Sequence, residues 1–177
     1  MKSSVPLAYV RTEGRAGRIG ARLMAIAAEG NRRRHYLAPT EEHEAAARVP
    51  IPDGVPDTEL PEAALGFRVQ GYGMTHHADL FTPRQLTALT TLSDLVGEAR
   101  EKALIDARTA GLGDGEGLDR GGTAAAAYSD SVACYLGAAF SRITSTNSSL
   151  CRWRPDAGKE SVNDTFARQA LSMMWDY

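Results

Sequence analysis

The chain has 177 residues, 43% hydrophobic and 24% charged, a composition suited to one soluble globular domain that buries roughly 70% of its unfolded surface. No stretch nears the roughly 18 apolar residues that span a bilayer, and the Met-Lys-Ser-Ser start lacks the apolar core of a secretory leader. Two cysteines are too few for a disulfide framework or a four-thiolate zinc site, so a cytoplasmic protein without a membrane partner is expected.

The net charge of −2 is unevenly spread. Residues 1–39 hold Lys2, Arg11, Arg15, Arg18, Arg22, Arg32, Arg33 and Arg34 against Glu13 and Glu29, a balance of +6 that leaves −8 for the remainder. A basic end of this kind suits a polyanion.

In chain order, Val5 to Arg11 reads as a short strand with Pro6 near its start. Ile19, Leu23, Ile26 and Ala27 fall on one helical stripe, but Gly17 and Gly20 would each cost about 1 kcal/mol in a helix interior. A hairpin is favoured instead: a strand over about 22–29, a turn at Gly30-Asn31, and a strand through His35-Tyr36-Leu37, completing the sheet begun at Val5. Thr40 is placed as the N-cap of a helix led by Glu41-Glu42-His43-Glu44 that stops by Val49. Pro50, Pro52, Pro56 and Pro61 then mark residues 50–65 as an extended spacer.

Thr82, Pro83 and Gln85 form a capping box with proline at the first helical position. The helix they open is predicted over 82–110, its stripe supplied by Leu86, Leu89, Leu92, Leu95, Val96, Ala99 and Ala103. A glycine-rich acidic loop, Gly111 to Gly122, leads to a second helix over 123–144. Tyr128, Val132, Tyr135, Leu136, Ala139, Phe140 and Ile143 lie on one of its faces, and the two helices are expected to pack antiparallel across the loop. A third, short helix is predicted over 162–170. The expected fold class is therefore α+β: a basic β-rich unit with a short helix over 1–49, a proline-rich spacer and loop over 50–81, and a helical segment over 82–177.

Few residues point to chemistry. The Gly111–Gly117 run matches neither the dinucleotide nor the Walker spacing, and Asp114, Glu116 and Asp119 would repel a phosphate. His76, His77 and Asp79 are too close in sequence to converge readily on one metal. Cys134 and Cys151 read as inert thiols, and no nucleophile elbow is present. The arginines are the better candidates. Arg15, Arg18, Arg22 and the run Arg32-Arg33-Arg34 suit phosphate contacts, while Arg152, Trp153 and Arg154 combine cations with a stacking surface for a base.

Gly71-Tyr72-Gly73-Met74-Thr75-His76-His77-Ala78-Asp79-Leu80-Phe81-Thr82-Pro83-Arg84-Gln85-Leu86 resembles a segment of the zinc-ribbon-containing adenine-specific DNA methylases of bacteria and archaea. The resemblance continues, in the family's order, at Tyr36 to Thr40, Asn147 to Trp153, Asn163 to Ala170 and Met174 to Tyr177. It implies a fragment of an α/β, Rossmann-like methyltransferase that moves a methyl group from S-adenosylmethionine to the N6 amino group of adenine in DNA.

The family's glycine-rich donor motif and its Asp-Pro-Pro-Tyr catalytic motif are absent from these residues, since no Pro-Pro separates Asp176 from Tyr177. S-Adenosylmethionine and zinc are accordingly expected only for the complete parent enzyme, and no catalytic residue carries over. The apolar, aromatic end from Leu171 to Tyr177 is read as a truncation. DNA and the missing parts of the methylase, in cis or in trans, are the expected partners. The alternatives are a stand-alone DNA-binding or protein-interaction module, and a split-enzyme subunit completed in trans.

Overall fold

The computed structural model describes residues 4–156 and 159–175, so Lys2 and the Asp176-Tyr177 end lie outside the described residues. Among the described residues it is a mixed α and β structure of four α-helices and two small antiparallel sheets, each two-stranded.

The first element is a helix, α1 (Leu7–Arg15), where the sequence predicts a strand. The alternation of Val5, Leu7 and Tyr9 that suggests a half-buried strand leaves all three side chains exposed. The opposite side decides the matter. Gly14 is buried against the backbone of Tyr72, and a Cβ there would come within 2.5 Å of the Tyr72 carbonyl oxygen. Gly73 completes the contact in the left-handed region, at φ 94°. The Arg11 guanidinium lies 5.5 Å from the centre of the Tyr72 ring, and that ring meets Trp175 edge-on. Residues 10, 11 and 14 share a side only in a helix, so this docking overrides the local strand preference.

The predicted hairpin is present as β1 (Ile26–Gly30) and β2 (Arg33–Leu37), antiparallel, with Ile26 opposite Leu37 and Gly30 opposite Arg33. Its turn is Asn31-Arg32, one residue later than predicted, with Arg32 at φ 57°. Gly30 stays in the ladder because the His35 ring occupies the space a Cβ would need. With residues 7–15 helical, no third strand joins this sheet. Thr40 caps α2 (Glu41–Ala47) as predicted: its Oγ1 accepts the His43 amide, and its own amide donates to His43 Nδ1.

The proline-bearing segment carries no helix but is pinned by backbone. Leu60 donates to the Thr75 carbonyl at 2.7 Å and His77 to the Thr58 carbonyl at 3.0 Å, which buries Leu60 in the core.

The Thr82–Gln85 capping box opens α3 (Pro83–Thr109) as predicted. It runs antiparallel to α4 (Ala125–Thr146), and the two helices make the most extensive packing in the protein. The acidic loop between them is held chiefly through Asp130. One of its carboxylate oxygens accepts from Arg100 of α3 at 2.8 Å, and the other accepts the Leu118 amide at 2.9 Å. The Leu118 amide first, then Arg100, hold this carboxyl below the usual aspartate range.

A carboxyl depressed by folding contributes stability that is complete at neutral pH and is lost as pH falls through its folded pKa. The melting-temperature gap between the native chain and Asp130→Asn should therefore be widest near neutrality. In thermal melts it should hold level from about pH 7 to about pH 5 and narrow only below about pH 4, as the carboxyl takes up its proton; a gap independent of pH would remove the ionic tie.

The expected packing of α3 on α4 is present, with only part of the α4 apolar stripe turned inward: Tyr128, Tyr135, Leu136 and Ile143 are exposed, and Val132 and Phe140 are half-buried. One expectation for the helical segment needs correction. The helix predicted over 162–170 does not form: a second hairpin, β3 (Trp153–Asp156) with β4 (Lys159–Val162), ends where it should begin, and turns and bends follow. The start of this segment is instead tied to distant parts of the chain. Asn163 donates to the Arg152 carbonyl and Thr165 to the Ser145 carbonyl, both at 2.9 Å, while Asp164 is paired with Arg142 at 2.7 Å.

Leu60, Val69, Leu80, Leu150 and Leu171 form the core, with Phe67, Met74, Phe81, Met173 and Met174 against it. The Leu80 carbonyl collects the Ser149 amide and the Ser148 and Ser149 hydroxyls at 2.7–2.9 Å. The Arg68 amide donates to the Leu171 carbonyl, bringing the last described residues onto the same core.

Candidate nucleic-acid interface

Strand β2 places Arg33 and His35 on one face of its hairpin and Arg34 and Tyr36 on the other. The Arg34–Tyr36 face meets the second hairpin. Arg34 donates to the Glu160 carbonyl across 126 residues of sequence, and its guanidinium lies 3.8 Å from the Glu160 carboxylate. The Tyr36 ring stands edge-on to Trp153, with centroids 6.3 Å apart and planes at 83°. The Glu160 carboxylate beside the Tyr36 hydroxyl raises the Tyr36 pKa above the ordinary phenol range. Glu160 thus holds Arg34 through its carbonyl and its carboxylate, and the Tyr36–Trp153 contact joins the same two hairpins.

Two of the sequence-predicted groups therefore come together: Arg34 from the basic run and Trp153 from the Arg-Trp-Arg segment. Arg32 and Arg33 extend from the exposed tip of the first hairpin. Arg152 is exposed immediately before β3, and Arg154 lies in β3 opposite Ser161.

The remaining three arginines sit on another part of the chain. Arg15 ends α1, its Nε on the Arg11 carbonyl. Arg18 is paired with Glu13 at 2.7 Å, which lowers the Glu13 pKa and raises that of Arg18. Arg22 lies 3.8 Å from Glu44. For Arg18 and Arg22 a local acid offsets the positive charge, whereas Arg32 and Arg33 stay exposed at the hairpin tip. Sequence reasoning missed Tyr36 and Glu160. The β-prone run through Tyr36 was legible, but nothing in the sequence says which distant segment it touches.

The other candidate groups have structural partners. Asp79 accepts the Thr75 and His76 amides at 2.7 and 2.8 Å, and His77 Nδ1 lies 3.1 Å from the Thr58 hydroxyl. The Cys151 thiol is buried, 3.2 Å from the Thr165 hydroxyl, while Cys134 is exposed. The acidic loop cannot cradle a phosphate at the start of α4, because the Gly113 and Asp114 carbonyls already accept the amides of Ala125 and Ala126. An open groove of about 950 Å³ runs beside the core, lined by Met74, Phe81, Met173, Met174 and Trp175 among others. No helix among the described residues is long and apolar enough to cross a membrane. No family model, curated protein or solved structure matches the chain.

Proposed function

We propose that this chain is part of an S-adenosylmethionine-dependent, adenine-specific DNA methyltransferase and contributes DNA contacts rather than chemistry. One observation carries the reading. Tyr36 and Trp153 belong to two separate segments of the family resemblance, and they meet edge to face beside the arginine-rich hairpin tip. In this reading Arg32 and Arg33 hold backbone phosphates, and Arg152 with Trp153 offers a cationic and aromatic surface to a base drawn out of the duplex.

The residues present do not fit the methyl donor. The glycine-rich loop is acidic and its helix-start amides are occupied. They do not fit a zinc ribbon either, since Cys134 is exposed on α4 and Cys151 is buried against Thr165. The doubly wound donor domain and the catalytic motif belong, in this proposal, to the rest of the parent enzyme.

Titrating the chain into fluorescently labelled duplex DNA at several salt concentrations tests the reading. Binding should weaken steeply with salt, and Arg32→Ala/Arg33→Ala should flatten the log–log slope by about 2, near 0.9 for each phosphate no longer neutralised. Both side chains are exposed, so the fold should be unaffected. Salt-independent binding, or none, overturns the DNA-contact role. Saturable S-adenosylmethionine binding by calorimetry would equally overturn the assignment of donor binding to other parts of the enzyme.

A further inference from the structure

Where the helix predicted over 162–170 fails to form, the chain lines a cavity instead. Its path is pinned at several points. The Asn163 amide is tied to Arg152 and the Thr165 amide to Ser145, the Phe166 ring lies 6.3 Å from that of Phe81, and the Leu171 carbonyl accepts the Arg68 amide at 2.8 Å. The open cavity beside this loop measures about 530 Å³. Its lining combines two buried leucines, Leu150 and Leu171, with the polar residues Arg152, Asn163, Arg168 and Ser172.

The charges on this lining are unbalanced. Its acid, Asp164, is already paired with Arg142 at 2.7 Å. Neither the Arg152 nor the Arg168 guanidinium has an acid or carbonyl partner among the described residues, and both side chains are exposed. Arg18, Arg22, Arg34, Arg100 and Arg108, by contrast, each lie against a carboxylate. Two uncompensated guanidinium groups on one concave surface leave a local charge of about +2. That complements a phosphate monoester, which carries about −1.5 to −2 near pH 7. A phosphodiester carries about −1 and would leave one arginine unmatched. The cavity also exceeds what a bare phosphate fills. It falls in the roughly 300–1,000 Å³ range of small-molecule sites, so its apolar part has an organic group to cover.

We propose that this cavity binds a phosphate monoester of a small organic group, with the phosphate held by Arg152 and Arg168 and the organic part against Leu150 and Leu171. Guanidinium forks take phosphate oxygens bidentately, and the Asn163 carboxamide and Ser172 hydroxyl supply neutral donors beside them. The same chemical group occurs on a free nucleotide and at a phosphorylated 5′ end of DNA. The site does not depend on what the tip of the first hairpin binds.

Isothermal titration calorimetry of the whole chain with thymidine 5′-monophosphate, thymidine and inorganic phosphate tests the proposal. The monophosphate should bind saturably at one site, at least about tenfold tighter than inorganic phosphate because it also covers apolar surface. Thymidine should not bind. Arg152→Ala and Arg168→Ala should each weaken binding about tenfold to a hundredfold, the worth of a hydrogen bond between charged groups. Both positions are exposed, so circular dichroism should stay native. Arg120→Ala, at an exposed arginine in the α3–α4 loop, should change nothing. No saturable binding, equal affinity for thymidine, or affinity insensitive to both cavity variants overturns the proposal, as does an equal loss in Arg120→Ala.

A single-stranded oligonucleotide with a 5′-phosphate, compared with the same strand ending in a 5′-hydroxyl, separates the two sources. A preference of about tenfold for the phosphorylated strand, lost in Arg168→Ala, assigns the site to DNA ends. No preference, with the mononucleotide still bound, assigns it to a free small molecule. Arg32→Ala/Arg33→Ala should leave mononucleotide binding unchanged, so this site and the DNA-contact reading fail independently.

Discussion

Leu80→Ala should lower the free energy of unfolding by about 3–5 kcal/mol, the upper part of the range for a buried leucine. Leu80 has no solvent exposure and is the point where three distant parts of the chain meet. Its side chain packs with Leu60, Val69, Leu150 and Leu171, while its carbonyl receives Ser148 and Ser149. Truncation opens a void that backbone movement cannot easily fill, because moving residue 80 toward the void would stretch those hydrogen bonds. Urea denaturation followed by circular dichroism measures the loss. A change below about 1 kcal/mol would mean the site collapses freely and is not a packed centre.

Gly14→Ala should cost about 1–3 kcal/mol, the usual cost of forced overpacking. The group in its way is backbone, the carbonyl of Tyr72, so no side chain can swing aside. In an unconstrained helix the same change would stabilise, since alanine is favoured over glycine there by about 1 kcal/mol. The sign of the effect therefore tells docking from propensity. Hydrogen exchange should show accelerated amides in α1 with those of α3 and α4 unchanged. A stabilised variant would mean that α1 does not rest on Tyr72 and Gly73.

What the sequence disclosed was local chemistry. Thr40 and Thr82 cap their helices through hydrogen bonds to residues three positions on, and such short-range geometry is written in the residue types. The hairpin at Asn31-Arg32 was legible to within one residue for the same reason. The failures all involve partners far away. α1 is helical because Gly14 meets Tyr72, and the start of the 162–170 region is tied instead to Ser145, Arg152 and Arg142. The α4 stripe was visible as a pattern, but a pattern does not name the surface that covers it. At the candidate interface the arginines and Trp153 could be picked by type, whereas Tyr36 and Glu160, which join the two hairpins, could not.

The hydrogen bond between Leu80 and Ser148 spans 68 residues of sequence, and almost everything between them is the α3–α4 pair. The chain thus leaves the body and returns to it through one doorway. A segment anchored in this way can change its length without disturbing what holds the body together: doubling an excursion of this kind adds only about 0.6 kcal/mol of closure entropy. Lengthening or shortening the arm by whole helical turns in both helices would move its tip by about 5.4 Å per turn, while the core around Leu80 and the paired hairpins kept their places. The arm is therefore the part of this protein where insertions and deletions are tolerated best, and its reach is a property that can vary independently of the rest.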